Sequence, residues 1–161
     1  MERIHDRSQS VDLDEFLQRP LFAHLATASE QGPRSSPVWF LWEAGAIWIL
    51  AHRASSTFDK RIERDPRCAL SVVDYELSDG KVHHVGMRGR ATVEPFHAER
   101  GKRLLSRYLA GSADDWDPTF VEVLEHPDDY VLVRFGPETV VARDQTYTVA
   151  SSDGVNTGRN G

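Results

Sequence analysis

A proline stands inside the most strand-like run of this chain, and that placement constrains the fold more than any other feature. The run is Pro33–Trp42, PRSSPVWFLW, and Pro37 falls where a ladder N–H would otherwise be needed. Proline is tolerated within a sheet mainly at an edge or a bulge. The backbone is therefore expected to leave its sheet near Pro37 and to expose peptide groups that something else must satisfy, and a flat aromatic ligand is the expected partner. On either side lie the apolar runs Leu21–Ala28 and Ala46–Ala51, joined to it by Ser29-Glu30-Gln31-Gly32 and by Glu43-Ala44-Gly45. Short turn-rich links between three β-rich runs describe an antiparallel meander.

The flanking segments extend this pattern. Asp12, with Glu15 three residues on, starts a short helix that presents Leu13, Phe16 and Leu17 on one face and stops at Pro20. Ser55-Ser56-Thr57 supplies a hydroxyl cap for a second helix, Phe58–Arg64, with Phe58 and Ile62 facing inward and Pro66 ending it. Cys68–Tyr75 reads as a strand, and Lys81–Glu94 as one long strand bent at Gly86 and Gly89 to turn a barrel corner. From His97 to Ala110 the period becomes helical, with Leu104, Leu105, Tyr108 and Leu109 as the stripe. A further helix after Asp117-Pro118 carries Phe120, Val121 and Leu124, and Asp129–Phe135 and Thr139–Arg143 return to strand, linked by Gly136-Pro137-Glu138.

Six or seven strands with helices between them describe a mainly β fold with α: an antiparallel β-barrel decorated by short helices, which escapes the edge problem by closing. One domain is expected over residues 1–150, and the Ser-, Gly- and Asn-rich residues 151–161 are expected to form a flexible tail.

Composition narrows the function classes. At 161 residues the chain can bury a core without staples, and a net charge of −6 gives no electrostatic footprint for nucleic acid. Cys68 is the single cysteine, which fits a reducing cytosol. With no apolar run of membrane-spanning length and no signal-like leader in MERIHDRSQS, a cytoplasmic protein without a membrane partner is expected.

Sequence motifs for a dinucleotide fold, a P-loop, a zincin or an α/β-hydrolase are missing. His83-His84 is a poor metal pair because successive strand residues point to opposite faces, so no metal is expected. The inward one is as readily a satisfied core histidine as a donor to a ligand carbonyl. Ser55-Ser56-Thr57 with Lys60 and Arg61 could cradle a phosphate, although taken in isolation an ordinary capped surface helix with solvated basic residues explains them better. Trp39 and Phe40 are adjacent and must face opposite ways, one inward and the other toward a ligand or a second subunit.

Taken in order, several stretches resemble one family: Leu25-Ala26-Thr27-Ala28, Pro37-Val38-Trp39-Phe40, Ile47-Trp48-Ile49-Leu50, Ser56 before its helix, Arg64–Val72 and Val85–Ala91. Together they resemble the pyridoxamine 5′-phosphate oxidase-like flavin-binding split barrels, which include the deazaflavin (coenzyme F-420)-dependent reductases. The resemblance implies a six- to seven-stranded split β-barrel and a homodimer with cofactor sites at the subunit interface. It implies an FMN-dependent oxidoreductase that reduces or oxidises a small organic substrate, with the deazaflavin as second cofactor choice and a non-catalytic flavin- or haem-binding module as the alternative.

By the same resemblance the isoalloxazine lies against Pro37, Val38, Trp39 and Phe40. The phosphate sits near Ala51, His52, Ser55, Ser56, Thr57, Lys60 and Arg61, and His84 is a further cofactor-binding candidate. Two departures stand out. Phe58 occupies the position where the family carries a basic residue, and Thr157–Gly161 lacks the Arg-Leu-x-Pro ending of the oxidases that act on pyridoxamine phosphate. Activity on that substrate is therefore not expected.

Overall fold

The structure is a computed structural model describing residues 1–6 and 11–150, so the expected tail lies outside the described residues. Its strands are β1 (Glu2–Asp6), β2 (Ala23–Thr27), β3 (Arg34–Val38), β4 (Leu41–Glu43), β5 (Ala46–His52), β6 (Arg67–Glu76), β7 (Lys81–Pro95) and β8 (Tyr130–Asp144). The helices are α1 (Leu13–Leu17), α2 (Phe58–Arg64), α3 (Ala98–Ser106) and α4 (Pro118–Glu125). Seven strands run antiparallel in the order β3-β2-β6-β7-β8-β5-β4, and β1, for which the sequence gives no strand pattern, pairs in parallel with the second half of β8.

The strand predicted over Pro33–Trp42 is two strands at opposite ends of this order, which corrects the expected meander. β3 pairs with β2 and places Pro37 opposite His24, whereas β4 pairs with β5. Pro37 therefore stands on an edge strand, where its missing N–H is tolerated. The hydrogen-bonded order ends at β3 and β4, so the expected closure is also corrected: the sheet curls round its core as a split barrel without joining its edges. Two local turns make the short hairpins. Ser29 and Gly32 exchange backbone bonds of 3.0 and 3.1 Å, and Ala44 and Gly45 both take positive φ, 52° and 70°, the geometry of a two-residue hairpin.

β7 and β8 are 15 residues each, and they coil together because glycine removes an obstacle. A Cβ on Gly89 would lie 2.1 Å from the Gly136 carbonyl oxygen, and the register shifts between Arg88 and Gly89. Gly136-Pro137 is thus part of this bulged crossing, and the two strands expected over 129–143 are one continuous strand. The predicted barrel corner at Gly89 stands.

The barrel interior is filled by Leu25, Phe40, Ile47, Ile49, Val72, Val85, Val133 and Phe135. α1 covers one opening with Leu13, Phe16 and Leu17, and Asp12 accepts a bond from the Glu15 N–H at 2.9 Å as its cap. α3 and α4 lie on the other side of β5 and bury Trp48, Leu104, Leu105, Trp116, Val123 and Leu132 as a second core. The run AIWILA is apolar throughout for this reason: Ile47 and Ile49 face one core, Ala46 and Trp48 the other. On α4 the deeply buried residue is Val123, with the predicted Phe120, Val121 and Leu124 packed around it.

Candidate functional site

The outer faces of β3, β2, β6, β7 and β8 line up in rows fixed by register. One row reads Ser35, Ala26, Ala69, Arg88, Thr139, and the next Pro37, His24, Ser71, Gly86, Val141. Ala26 and Ala69 in the first row and Ser71 and Gly86 in the second are small, which leaves a hollow of about 360 Å³ floored by these four residues. His24, His84, Arg88 and Arg143 wall it. A Cβ on Gly86 would lie 3.5 Å from His84 Nε2, so the imidazole leans over the glycine.

Burial holds the His84 pKa below its ordinary value, and the neighbouring Arg143 charge pushes it the same way. Neutral imidazole offers one donor and one acceptor, which suits a heterocyclic carbonyl or ring nitrogen. His83 points to the other face as alternation requires, with its ring centroid 6.3 Å from that of Phe16 and its Nε2 3.6 Å from an Asp144 carboxylate oxygen.

The peptide groups of Phe40, just past Pro37, find partners within the chain. The Phe40 N–H donates to the Tyr108 hydroxyl at 3.1 Å, and that hydroxyl donates to the Leu21 carbonyl at 2.8 Å. Arg107 donates to the carbonyls of Phe40 at 2.7 Å, Leu17 at 2.9 Å and Arg19 at 2.7 Å. Trp39 and Phe40 do face opposite ways, but both are packed: Phe40 is fully buried in the barrel, as is Val38 nearly so. The Trp39 ring is stacked between Tyr108, with centroids 4.7 Å apart, and Phe120 at 5.4 Å. Pro37 is the exposed member of that set.

The predicted phosphate turn is likewise tied together internally. Ala51 is buried, and His52 Nδ1 accepts the N–H groups of Ala54 and Ser55, each at 3.2 Å. The Ser56 hydroxyl accepts the His52 N–H at 3.0 Å, and Lys60 Nζ donates to the carbonyls of Arg53 and Ser56, both at 2.8 Å. Thr57 makes no cap bond to the helix; its hydroxyl accepts from Arg61 Nη1 at 2.9 Å instead. Phe58 packs only partly against the core, while Ile62 is buried. β5 also pairs with β4 and β8, so it does not carry α2 to the Pro37 strand. The link runs through β2, where Arg61 Nε donates to the Thr27 hydroxyl at 2.7 Å.

A basic cluster lies beside this turn; the sequence reading named its Arg61 but neither Arg34 nor Arg64. Arg61 and Arg64 line two adjoining hollows of about 300 and 240 Å³ together with Ser29 and Glu30, and Arg34 joins them at the second. Arg34 Nη2 donates to the Gln31 side chain at 2.7 Å. β3 borders both regions, since Ser35 lines the sheet-face hollow and Arg34 the arginine one. Nothing in local spacing joins Arg34 to Arg64, but the small residues alternating along β2, β6 and β7 are a signal that register converts into a floor.

The family model for pyridoxamine 5′-phosphate oxidase matches residues 12–144. The chain belongs to that family. Solved structures of the same fold include the conserved hypothetical protein Rv2991 from Mycobacterium tuberculosis, at 20% identity and a TM-score of 0.71, covering 92% of this chain and 98% of that one. An F420 reductase aligns at 21% identity and a TM-score of 0.60, over 79% of this chain and 94% of its own. A FAD-binding protein from Mesorhizobium loti aligns at 15% identity and a TM-score of 0.61, over 86% of this chain and 96% of its own. No curated protein matches. Among the described residues no helix is long and apolar enough to cross a membrane.

Proposed function

We propose that this chain binds a flavin nucleotide, FMN first, and acts as an oxidoreductase on a small organic substrate. The observation that carries the reading is that β3 borders a hollow floored by small residues with Ser35 and an arginine cluster with Arg34. A planar ring system needs the first and a phosphate the second. Ala26, Ala69, Ser71 and Gly86 would lie beneath the ring, with His84 and Arg88 as polar contacts at its edge. Arg34 and Arg64 would hold the phosphate, with Arg61 beside them anchored on Thr27 and Thr57, in the place of Lys60, which donates to two carbonyls of its own turn. When bound, the flavin supplies hydride transfer; the protein orients it, excludes water and offers hydrogen bonds.

Val73 and Tyr75 leave 47% and 55% of their surface exposed on β6 beside this hollow, and a second copy of the chain would cover them. The working unit is therefore proposed as a cytoplasmic homodimer with the cofactor between subunits. The deazaflavin coenzyme F-420 is the second reading, favoured by the arginine cluster, since its phosphate and carboxylate groups need several cations. A non-catalytic flavin- or haem-binding module is the third, favoured by the engagement of Ser56, Thr57 and Lys60 within their own turn.

Titration with FMN and, separately, with coenzyme F-420, read by quenching of the four tryptophans, tests the proposal. Saturable FMN binding is expected, followed by turnover with a reduced nicotinamide donor. Absence of binding by either compound would overturn the flavin reading, and binding without turnover of any electron acceptor would favour the module.

A further inference from the structure

The chain crosses between the two ends of the sheet at Trp39 and Phe40, between the last pair of β3 (Val38 with Ala23) and the first of β4 (Leu41 with Trp48), and these two residues take part in no strand pairing. Its polar groups are held by two consecutive side chains that follow α3. Tyr108 takes the Phe40 N–H and gives its proton to the Leu21 carbonyl, just ahead of β2. Arg107 bridges the Phe40 carbonyl to those of Leu17 and Arg19, where α1 ends. The Arg107 guanidinium carbon also lies 4.9 Å from the Phe40 ring centroid. One corner of the second core thereby fixes the paired β3–β2 hairpin, the pair of strands that borders the proposed cofactor.

We infer that Tyr108 and Arg107 are positioning residues for the cofactor-facing edge strand, so that α3 sets the geometry of a site it does not touch. The inference rests on the flavin reading above. Without the Tyr108 hydroxyl the Phe40 N–H and the Leu21 carbonyl lose their common partner, and the paired β3–β2 hairpin is free to shift against the second core by a fraction of an ångström. Such a shift moves Ser35 and Arg34 together, one at each region that the ligand would span. Arg107 restrains the crossing from the α1 side, and lysine cannot reproduce its three-carbonyl grip because it lacks the planar fork.

The test compares Tyr108→Phe, which keeps the ring stacked on Trp39 and deletes the hydroxyl, with Phe120→Leu, which loosens the other side of the same stack and leaves the backbone bonds alone. FMN affinity and the urea unfolding midpoint are measured for both in the full chain, and amide hydrogen exchange is followed at Phe40. Tyr108→Phe is expected to weaken FMN binding about tenfold and to speed exchange at Phe40. Phe120→Leu should lower the urea midpoint with FMN affinity unchanged within about twofold.

Equal affinity losses in the two variants, or unchanged affinity in Tyr108→Phe, would overturn the inference while leaving the flavin reading intact. Failure of the unaltered chain to bind FMN or the deazaflavin would remove the flavin reading and this inference with it. Arg107→Lys provides the second variant should Tyr108→Phe fold poorly, with the same affinity loss expected and the same outcomes decisive.

Discussion

Over β5 and the first half of β8, α3 and α4 cover the outer side of the sheet; over β2, β6 and β7 the same side opens to a hollow. The covered part carries Trp48 and Leu132, which fill space against Leu104, Leu105 and Val123. The open part carries Ala26, Ala69, Ser71 and Gly86, walled by polar side chains. Both parts belong to one continuous ladder, so backbone pairing does not distinguish them. Side-chain volume does. Large apolar residues on an outer face mark where the chain supplies its own cover, and a floor of small residues marks where room is kept for something else.

The largest effect belongs to the covered half. Leu132→Ala removes a fully buried side chain and is expected to cost about 2–5 kcal/mol of unfolding free energy, read from urea denaturation. On the open half the consequences reverse: Ala69→Phe fills the floor, with unfolding free energy unchanged within about 0.5 kcal/mol and FMN affinity reduced at least tenfold. A stability loss at Ala69 as large as that at Leu132 would break the comparison, since it would mean that the open face is packed too.

The smallest effect sharpens the comparison through pH. His84 has a folded pKa below its ordinary value near 6.5, so the folded chain binds this proton less readily than the unfolded one. Its contribution to stability is present above about pH 6.5 and is lost as pH falls from there through the folded value. An imidazole resonance titrating below pH 6.5 is expected for His84. Arg143→Gln should recover only part of the shift, because burial is the larger cause and remains.

Features set by local chemistry were legible in the sequence. Asp12 caps α1, Gly89 turns the corner of β7, and the unbroken apolarity of AIWILA reports a strand buried on both sides. Pro37 was legible as an edge residue, but the partner of the Phe40 peptide groups beyond it was not. A freed N–H at Phe40 says that a partner is needed and not which one, and Tyr108 lies 68 residues away. Thr57 illustrates the same limit. Its hydroxyl could cap the helix or accept from Arg61, and only the approach of α2 to β2 through the Arg61–Thr27 bond selects the latter. The arginine cluster and the hollow depend wholly on strand register, which spacing along one chain does not encode.

Among the described residues β8 is the final strand, yet it stands between β7 and β5 in the sheet and pairs with both. The β4–β5 hairpin, complete by His52, therefore has no place in the ladder until residues 130–135 arrive. Until then β5 and β7 each present an unpaired edge, one of them in the most apolar run of the chain. Assembly must bring together segments some eighty residues apart before the barrel core can form, and such non-local pairing belongs to folding on the order of milliseconds to seconds. During synthesis the greater part of the chain leaves the ribosome before β8, the strand that joins β7 to β5, exists, and aggregation in that interval is opposed by fast pairing and by chaperones.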